Sequence, residues 1–363
     1  MIAAAADGGR FTGAVRPFEA RVVRQEWAAA AVTPMVDALS PGEHRSPVHT
    51  PEEAYVASPP ALYVYRMRRG RADHVGVVAD VRLEAFASGG VRGHESVDPH
   101  RVDALVRYYS EHPARSEPVA LLHDHPPGAA TLVENACRGR PLLDFQSPDG
   151  LEHTVWRVSD DEETTGIAEA LGQGVHYIAD GHHRVAARLR AWELSGRPDD
   201  AGVLCVVYPL DGLTMSAFHR RVAGPVDATR LLDTASRHFV VRRVPAGQVT
   251  DGFGVYVAGC WYDVAPAGPR PEGVAGLDAS VLEARILGPA LGISGPGHPR
   301  LEVVPDHLPL PHLTARCDDD DGALFVVRPP SLRALTRIAD LGQEMPPKTT
   351  YFAPKPYAGI FLT

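Results

Sequence analysis

Between Val175 and Trp192 the chain reads VHYIADGHHRVAARLRAW, and the spacing of its apolar residues changes partway through. Val175 to Ala179 is a short apolar run of strand length. From His182 onward Val185, Leu189 and Trp192 fall along one helical face. A strand must therefore pass into a helix across Asp180 and Gly181. Such a junction leaves the first N–H groups of the helix without intrahelical partners, which makes a ready anion site. Gly181 lets the backbone approach a ligand closely. His182, His183 and Arg184 add donors and positive charge at the helix end where the dipole disfavours cations, an arrangement that a bound phosphate would offset. Asp180 can cap the helix, hold a Mg²⁺ ion or orient a histidine. Adjacent histidines project to different faces, so the pair is poor geometry for one metal.

The rest of the chain mixes strands and helices. ALYVYRM and VGVVADVRL read as strands joined by RRGRAD, and PVALLHD and HTVWRV as two more. Asp98 is a good N-cap and Pro99 a good first residue for a helix over Pro99 to Glu111, with Val102, Leu105, Val106 and Tyr109 at helical spacing. ETTGIAEAL and HHRVAARLRAWEL are helical, and GVLCVVYPL and LTMSAFHRRV are strands. Residues 1–60 carry little regular structure on this reading, and the stretch before Gly150 is loop-rich. The composition changes near Gly224-Pro225. Residues 224–330 read as a further α/β unit, with a helix and strand in DATRLLDTASRHFVVRRV, a hairpin in GFGVYVAG and CWYDVAP, and a helix in LDASVLEARIL. Asp318 to Asp321 reads as a solvated turn. Residues 331–363 give a last helix, SLRALTRIADLG, and a tail rich in proline and lysine.

The chain has 363 residues and is 44% hydrophobic and 22% charged, enough for a large core and more than one domain. Its net charge of −9, from 45 acids against 36 lysines and arginines, argues against a nucleic-acid or anionic-membrane partner. The four cysteines lie far apart with no CxxC pair, which argues against a tight zinc cluster and a disulfide framework and favours free thiols. MIAAAADGGR lacks the basic and apolar regions of a signal peptide, and no run approaches the ~18 apolar residues of a membrane span. A cytoplasmic protein is expected.

Two other stretches carry chemistry. In GHES, Gly93 to Ser96, Glu95 stands just before the helix that begins at Pro99. It is either a surface carboxylate or a general base placed to take a proton from a substrate hydroxyl. In PPKTTYF, Pro346 to Phe352, a lysine followed by two hydroxyls suits a carboxylate or phosphate, or belongs to a packed C-terminal arm.

In order along the chain, HE before a helix, then YIADGHHR, then PPKTTYFAPKP resembles a large bacterial and archaeal family long described as of unknown function, some members of which are free L-serine kinases. VRPFEARVV, LYVYR, DGLEHTVWRVSD and HRRV at His219 to Val222 are similar to further landmarks of that family, so the resemblance covers nearly the whole chain. It implies an α+β fold with a ParB/sulfiredoxin-like core over residues 61–223, the additional α/β unit over 224–330, and a C-terminal arm over 331–363 that returns to the site. It implies phosphoryl transfer from ATP or ADP, with Mg²⁺, to the hydroxyl of free serine or a related hydroxy amino acid.

By matching motif, Glu95 would be the catalytic base and Asp180 the second essential acid, the latter also a possible Mg²⁺ ligand. Gly181, His182, His183 and Arg184 would cradle nucleotide phosphates. His94, Lys348, Thr349 and Thr350 would bind the amino-acid substrate. A non-catalytic ParB-like nucleotide switch is the alternative, and it would not need Glu95. Two departures stand out. The HE pair follows Gly93 where the family carries Arg, and Val32 to Ser40 reads VTPMVDALS, with Val36 in place of an aromatic and Asp37 kept.

Overall fold

The computed structural model describes residues 13–34, 50–111, 116–124, 126, 128–245, 252–295 and 297–363. Val36 and Asp37 lie outside them. The architecture is α+β, as expected, and the chain divides into two units. The first comprises Met1–Gly93, Val97–Thr214 and Pro354–Thr363; the second, His94–Ser96 and Met215–Ala353. The division falls after Thr214, and residues 331–363 are split between the two units.

The first unit is built on a mixed sheet. Its strands run in the order Val91–Arg92, His176–Asp180, Val119–His123, Gly202–Pro209, Ala72–Arg82, Tyr63–Arg69, Glu152–Arg157 and Leu143–Gln146. His176–Asp180 pairs parallel with Val91–Arg92 and antiparallel with Val119–His123, and Gly202–Pro209 pairs parallel with Val119–His123. The strand Val119–His123 is buried along its whole length, which is why it reads as a continuous apolar run rather than an alternating one. Leu121, Val207, Val77 and Val64 join one core with Ile167 and Leu171 of the helix Asp161–Leu171. The helix Pro99–Glu111 buries Val102, Leu105 and Tyr109 against Ala187 of the helix His182–Leu194.

Of the stretch expected to be irregular, the described residues 13–34 and 50–60 carry regular structure. Strands Val15–Arg16, Phe18–Val23 and Tyr55–Ala61 and the helix Gln25–Ala31 lie within residues 13–61. Phe18–Val23 is the middle strand of a small sheet, between Tyr55–Ala61 and Phe361–Leu362. The loop-rich stretch before Gly150 holds the helix Ala129–Ala136 and the strand Leu143–Gln146.

The second unit carries an antiparallel sheet in the order Phe239–Val244, Cys260–Pro266, Phe253–Val257, Ala323–Val326, Phe218–Val222 and Leu301–Pro305. Its two faces can be told apart by alternation along the strands. Val255, Val257 and Phe325 pack with Leu231, Leu282 and Ile286. Tyr256 and Leu324, one residue out of step, pack with Leu313 and Cys317 of the helix Leu310–Asp320. Asp318 to Asp321 is therefore no free turn but the end of that helix. Tyr256 Oη donates to Asp318 Oδ1 at 2.7 Å, and Arg221 Nη2 to Asp320 Oδ2 at 2.6 Å. LDASVLEARIL is helical with one wider π turn over Glu283–Leu287, just before Pro289. Among the described residues no helix is long and apolar enough to cross a membrane.

Candidate functional site

In the first unit the strand His176–Asp180 runs into the helix His182–Leu194 through Gly181. Gly181, not Asp180, occupies the N-cap. It has φ 108°, and a Cβ there would lie 3.0 Å from Arg184 Nη2 and 3.1 Å from Val119 Cγ2. Only glycine fits without strain. No side chain caps this helix, so Asp180 is released for another task.

Asp180 holds two cations. Arg184 Nη2 lies 2.5 Å from Asp180 Oδ2 and Lys355 Nζ 2.7 Å from Oδ1. Burial by itself raises the carboxyl pKa, but the charges of Arg184 and Lys355 outweigh it and hold Asp180 below the ordinary aspartate range. Two positive groups against one negative, at a helix start, favour an anion. They do not favour a resident metal. Both carboxylate oxygens are engaged by cations. The donor set does not fit Mg²⁺ on Asp180.

The remaining residues of the motif divide their roles. Arg184 is anchored to the protein, with Nη1 donating to the carbonyl of Pro118 at 2.7 Å. His183 Nε2 accepts the amide of Asp98 at 3.0 Å, while Asp98 Oδ1 accepts the amide of His100 at 2.9 Å. One residue thus caps the helix Pro99–Glu111 and ties its start to the helix His182–Leu194. The His182 ring lies over Gly93, where a Cβ would come 3.2 Å from His182 Cδ2. The absence of a side chain at Gly93 is what seats this ring.

Sequence reading missed Lys355. Its one local signal was its place inside PPKTTYFAPKP, and its partner lies far back along the chain. The segment that delivers it is held by Tyr357 Oη to Asp149 Oδ2 at 2.8 Å, by Tyr55 Oη to the carbonyl of Gly359 at 3.0 Å, and by pairing of Ala358 with Thr33.

In the second unit the HE and PKTT runs meet. Lys348 N donates to Glu95 Oε1 at 3.2 Å, Met345 N donates to the carbonyl of His94 at 2.7 Å, and Glu95 pairs with Met345 as a parallel bridge. His94 Nε2 and Thr350 Oγ1 are 3.0 Å apart. His94 is fully buried, which lowers its pKa to about 4 and keeps the imidazole neutral near pH 7. Thr349 Oγ1 donates to the carbonyl of Pro346 at 2.6 Å and so braces the turn. Lys348 has φ 58°, and its ammonium lies 5.4 Å from the Phe218 ring centroid. The buried guanidinium of Arg220 donates to the carbonyl of Lys348 at 3.1 Å. The result is a half-buried carboxylate fixed by a backbone amide, with hydroxyls, a lysine and a buried arginine around it. A base for a hydroxyl proton needs such an orientation.

No curated protein matches the chain. Among solved structures, a free serine kinase mutant in complex with AMP matches over 78% of this chain and 91% of its own, at 11% identity and a TM-score of 0.42. A conserved hypothetical protein from Pyrococcus furiosus matches over 77% and 90%, at 13% identity and 0.38. SbnI with C-terminal truncation from Staphylococcus aureus matches over 76% and 82%, at 10% identity and 0.40. A family model described as "Protein of unknown function (DUF1015)" matches residues 53–280, more than half of the sequence, and the chain therefore belongs to that family.

Proposed function

We propose that this protein is a small-molecule kinase that transfers a phosphoryl group from ATP or ADP to the hydroxyl of free L-serine or a related hydroxy amino acid. The observation that carries the reading is the bond from Lys348 N to Glu95 Oε1, which joins two motifs read separately in the sequence. It supports Glu95 as a general base held in one orientation. Phosphoryl transfer needs positioning and charge stabilisation more than covalent chemistry. Glu95 takes the proton of the serine hydroxyl as its oxygen attacks the terminal phosphorus of ATP or ADP in line, and the bond from that phosphorus to the bridging oxygen breaks to release ADP or AMP. The anion-favouring junction of Gly181, His182, Lys355 and the first amides of the helix His182–Leu194 binds nucleotide phosphate. Asp180 and Arg184 act by holding Lys355 and the junction in place, and His183 by fixing the helix start. Lys348 and Thr350 bind the amino-acid substrate, with His94 orienting the Thr350 hydroxyl and Thr349 bracing the turn. No step is assigned to a metal ion on Asp180.

Phosphorus NMR of the protein with MgATP or MgADP and L-serine tests the reading beside Glu95→Gln. The expected outcome is a new phosphomonoester signal. In the variant its rate of appearance falls by about 10²- to 10⁴-fold, with nucleotide affinity kept. No phosphorylated product from serine or a panel of hydroxy amino acids would sink the proposal. Intact nucleotide binding without turnover, indifferent to Glu95→Gln, would point instead to a nucleotide-binding switch.

A further inference from the structure

HRRV contributes the strand Phe218–Val222, which lies between Ala323–Val326 and Leu301–Pro305 in the second sheet. Arginine is rare inside such a strand, yet Arg220 is only 5% exposed. Its fork is spent on backbone carbonyls. Nη1 donates to Phe218 O at 2.8 Å, and Nη2 to Lys348 O at 3.1 Å and Pro347 O at 3.5 Å. The Pro347 carbonyl and the Lys348 amide belong to one planar peptide unit. Its oxygen faces the guanidinium, and its N–H donates to Glu95 Oε1. A single peptide plane is therefore clamped at one end by a buried cation and at the other by the carboxylate.

The plane needs such a clamp. Lys348 adopts φ 58°, a left-handed conformation that costs a non-glycine residue of order 1–2 kcal/mol and that the surroundings must impose. Met345 N is held by His94 O, Thr350 Oγ1 by His94 Nε2, and Thr349 Oγ1 donates to Pro346 O. Arg220 holds the carbonyls of Pro347 and Lys348, in the middle of the turn.

We infer that Arg220 is the positioning residue for Glu95, acting through the Pro347–Lys348 peptide and the left-handed Lys348. The inference rests on the kinase reading for its catalytic consequence and on geometry alone for its structural one. Burial lowers the Arg220 pKa to about 10, against the opposing charges of Glu283 and Glu95, so it is a cation at neutral pH. Buried charge is retained only where it is compensated, and Glu95 is one of the two acids that compensate it. Base and positioning cation are thus coupled in both directions.

Two variants and two readouts test this. Arg220→Met removes fork and charge; Arg220→Lys keeps the charge as a point and loses the fork. With Arg220→Met, kcat is expected to fall about 100-fold, the scale of a misplacement near 1 Å. KM for nucleotide and for serine should stay within about twofold. Added guanidinium at millimolar concentration should restore much of the rate, and sodium chloride of equal ionic strength should not. Arg220→Lys should fold and show a loss of about tenfold, so it carries the test if the methionine variant does not fold. Hydrogen exchange of the Lys348 amide, read by NMR, should quicken in both variants with the sheet amides of the second unit unchanged. An unchanged kcat, or an unchanged Lys348 amide, overturns the inference. If the wild-type protein phosphorylates nothing, the kinase reading falls, and exchange at Lys348 alone decides the role of Arg220.

Discussion

Asp180 is the residue whose surroundings depart furthest from what its neighbours in the sequence suggest. Its carboxylate faces Arg184 and Lys355, with little of any of the three side chains exposed. Replacement by Asn leaves two cations without their counter-charge and should cost about 1–3 kcal/mol. The pH dependence has a definite sign. The folded pKa of Asp180 lies below its unfolded value. The stabilisation is therefore complete above the ordinary aspartate pKa of about 3.9 and lost as pH falls through the folded value. The thermal midpoints of wild type and Asp180→Asn should differ at pH 7 and converge below about pH 4. A constant gap across that range would mean the loss is one of packing, not of charge. The strand-to-helix junction in DGHHR was legible, but not the division of labour within it. Arg184 is anchored by a carbonyl at Pro118, and His183 by an amide at Asp98. Which donors are already used by the protein depends on neighbouring strands and helices, and no local pattern encodes that.

At the scale of elements, the helix limits that came true are those with chemical punctuation. Pro99–Glu111 begins at Asp98-Pro99, and His182–Leu194 begins after a glycine. The missed elements hide such signals. Tyr55–Ala61 contains Pro59 and Pro60, yet it lies at the edge of its small sheet, where proline is tolerated. The helix Ala129–Ala136 starts at a glycine as His182–Leu194 does, but its eight residues are too few for a helical period to show in the sequence. The junction at Gly181 yields the sharpest prediction at this scale. Gly181→Ala forces a methyl group against Arg184 and Val119 at positive φ and should cost about 1–3 kcal/mol. On the proposed function it should also weaken nucleotide affinity more than it changes kcat. Isothermal titration of ADP against wild type and variant separates this from a purely structural effect, which would lower the thermal midpoint and leave affinity intact.

At the scale of the whole molecule, the first unit is discontinuous in sequence, since Pro354–Thr363 belongs to it. That segment supplies Lys355 to Asp180, Tyr357 to Asp149, and Phe361 to a cluster with Phe18 and Tyr63. Deleting Pro354–Thr363 should lower the thermal transition of the first unit by about 10 °C and leave that of the second in place. Calorimetry would resolve the two, and an equal shift in both would show that the segment supports more than its own unit. A polypeptide is made from its N-terminus and its domains fold as they emerge. Here the first unit begins at the start of the chain but lacks a strand partner, an aromatic ring and a cation until Phe361 has left the ribosome. The second unit, complete at Ala353, can finish before the one that precedes it. During synthesis the small N-terminal sheet waits with its Phe18–Val23 strand paired on one side only, and it is in this interval that a chaperone or a neighbouring nascent chain could pair with the open edge.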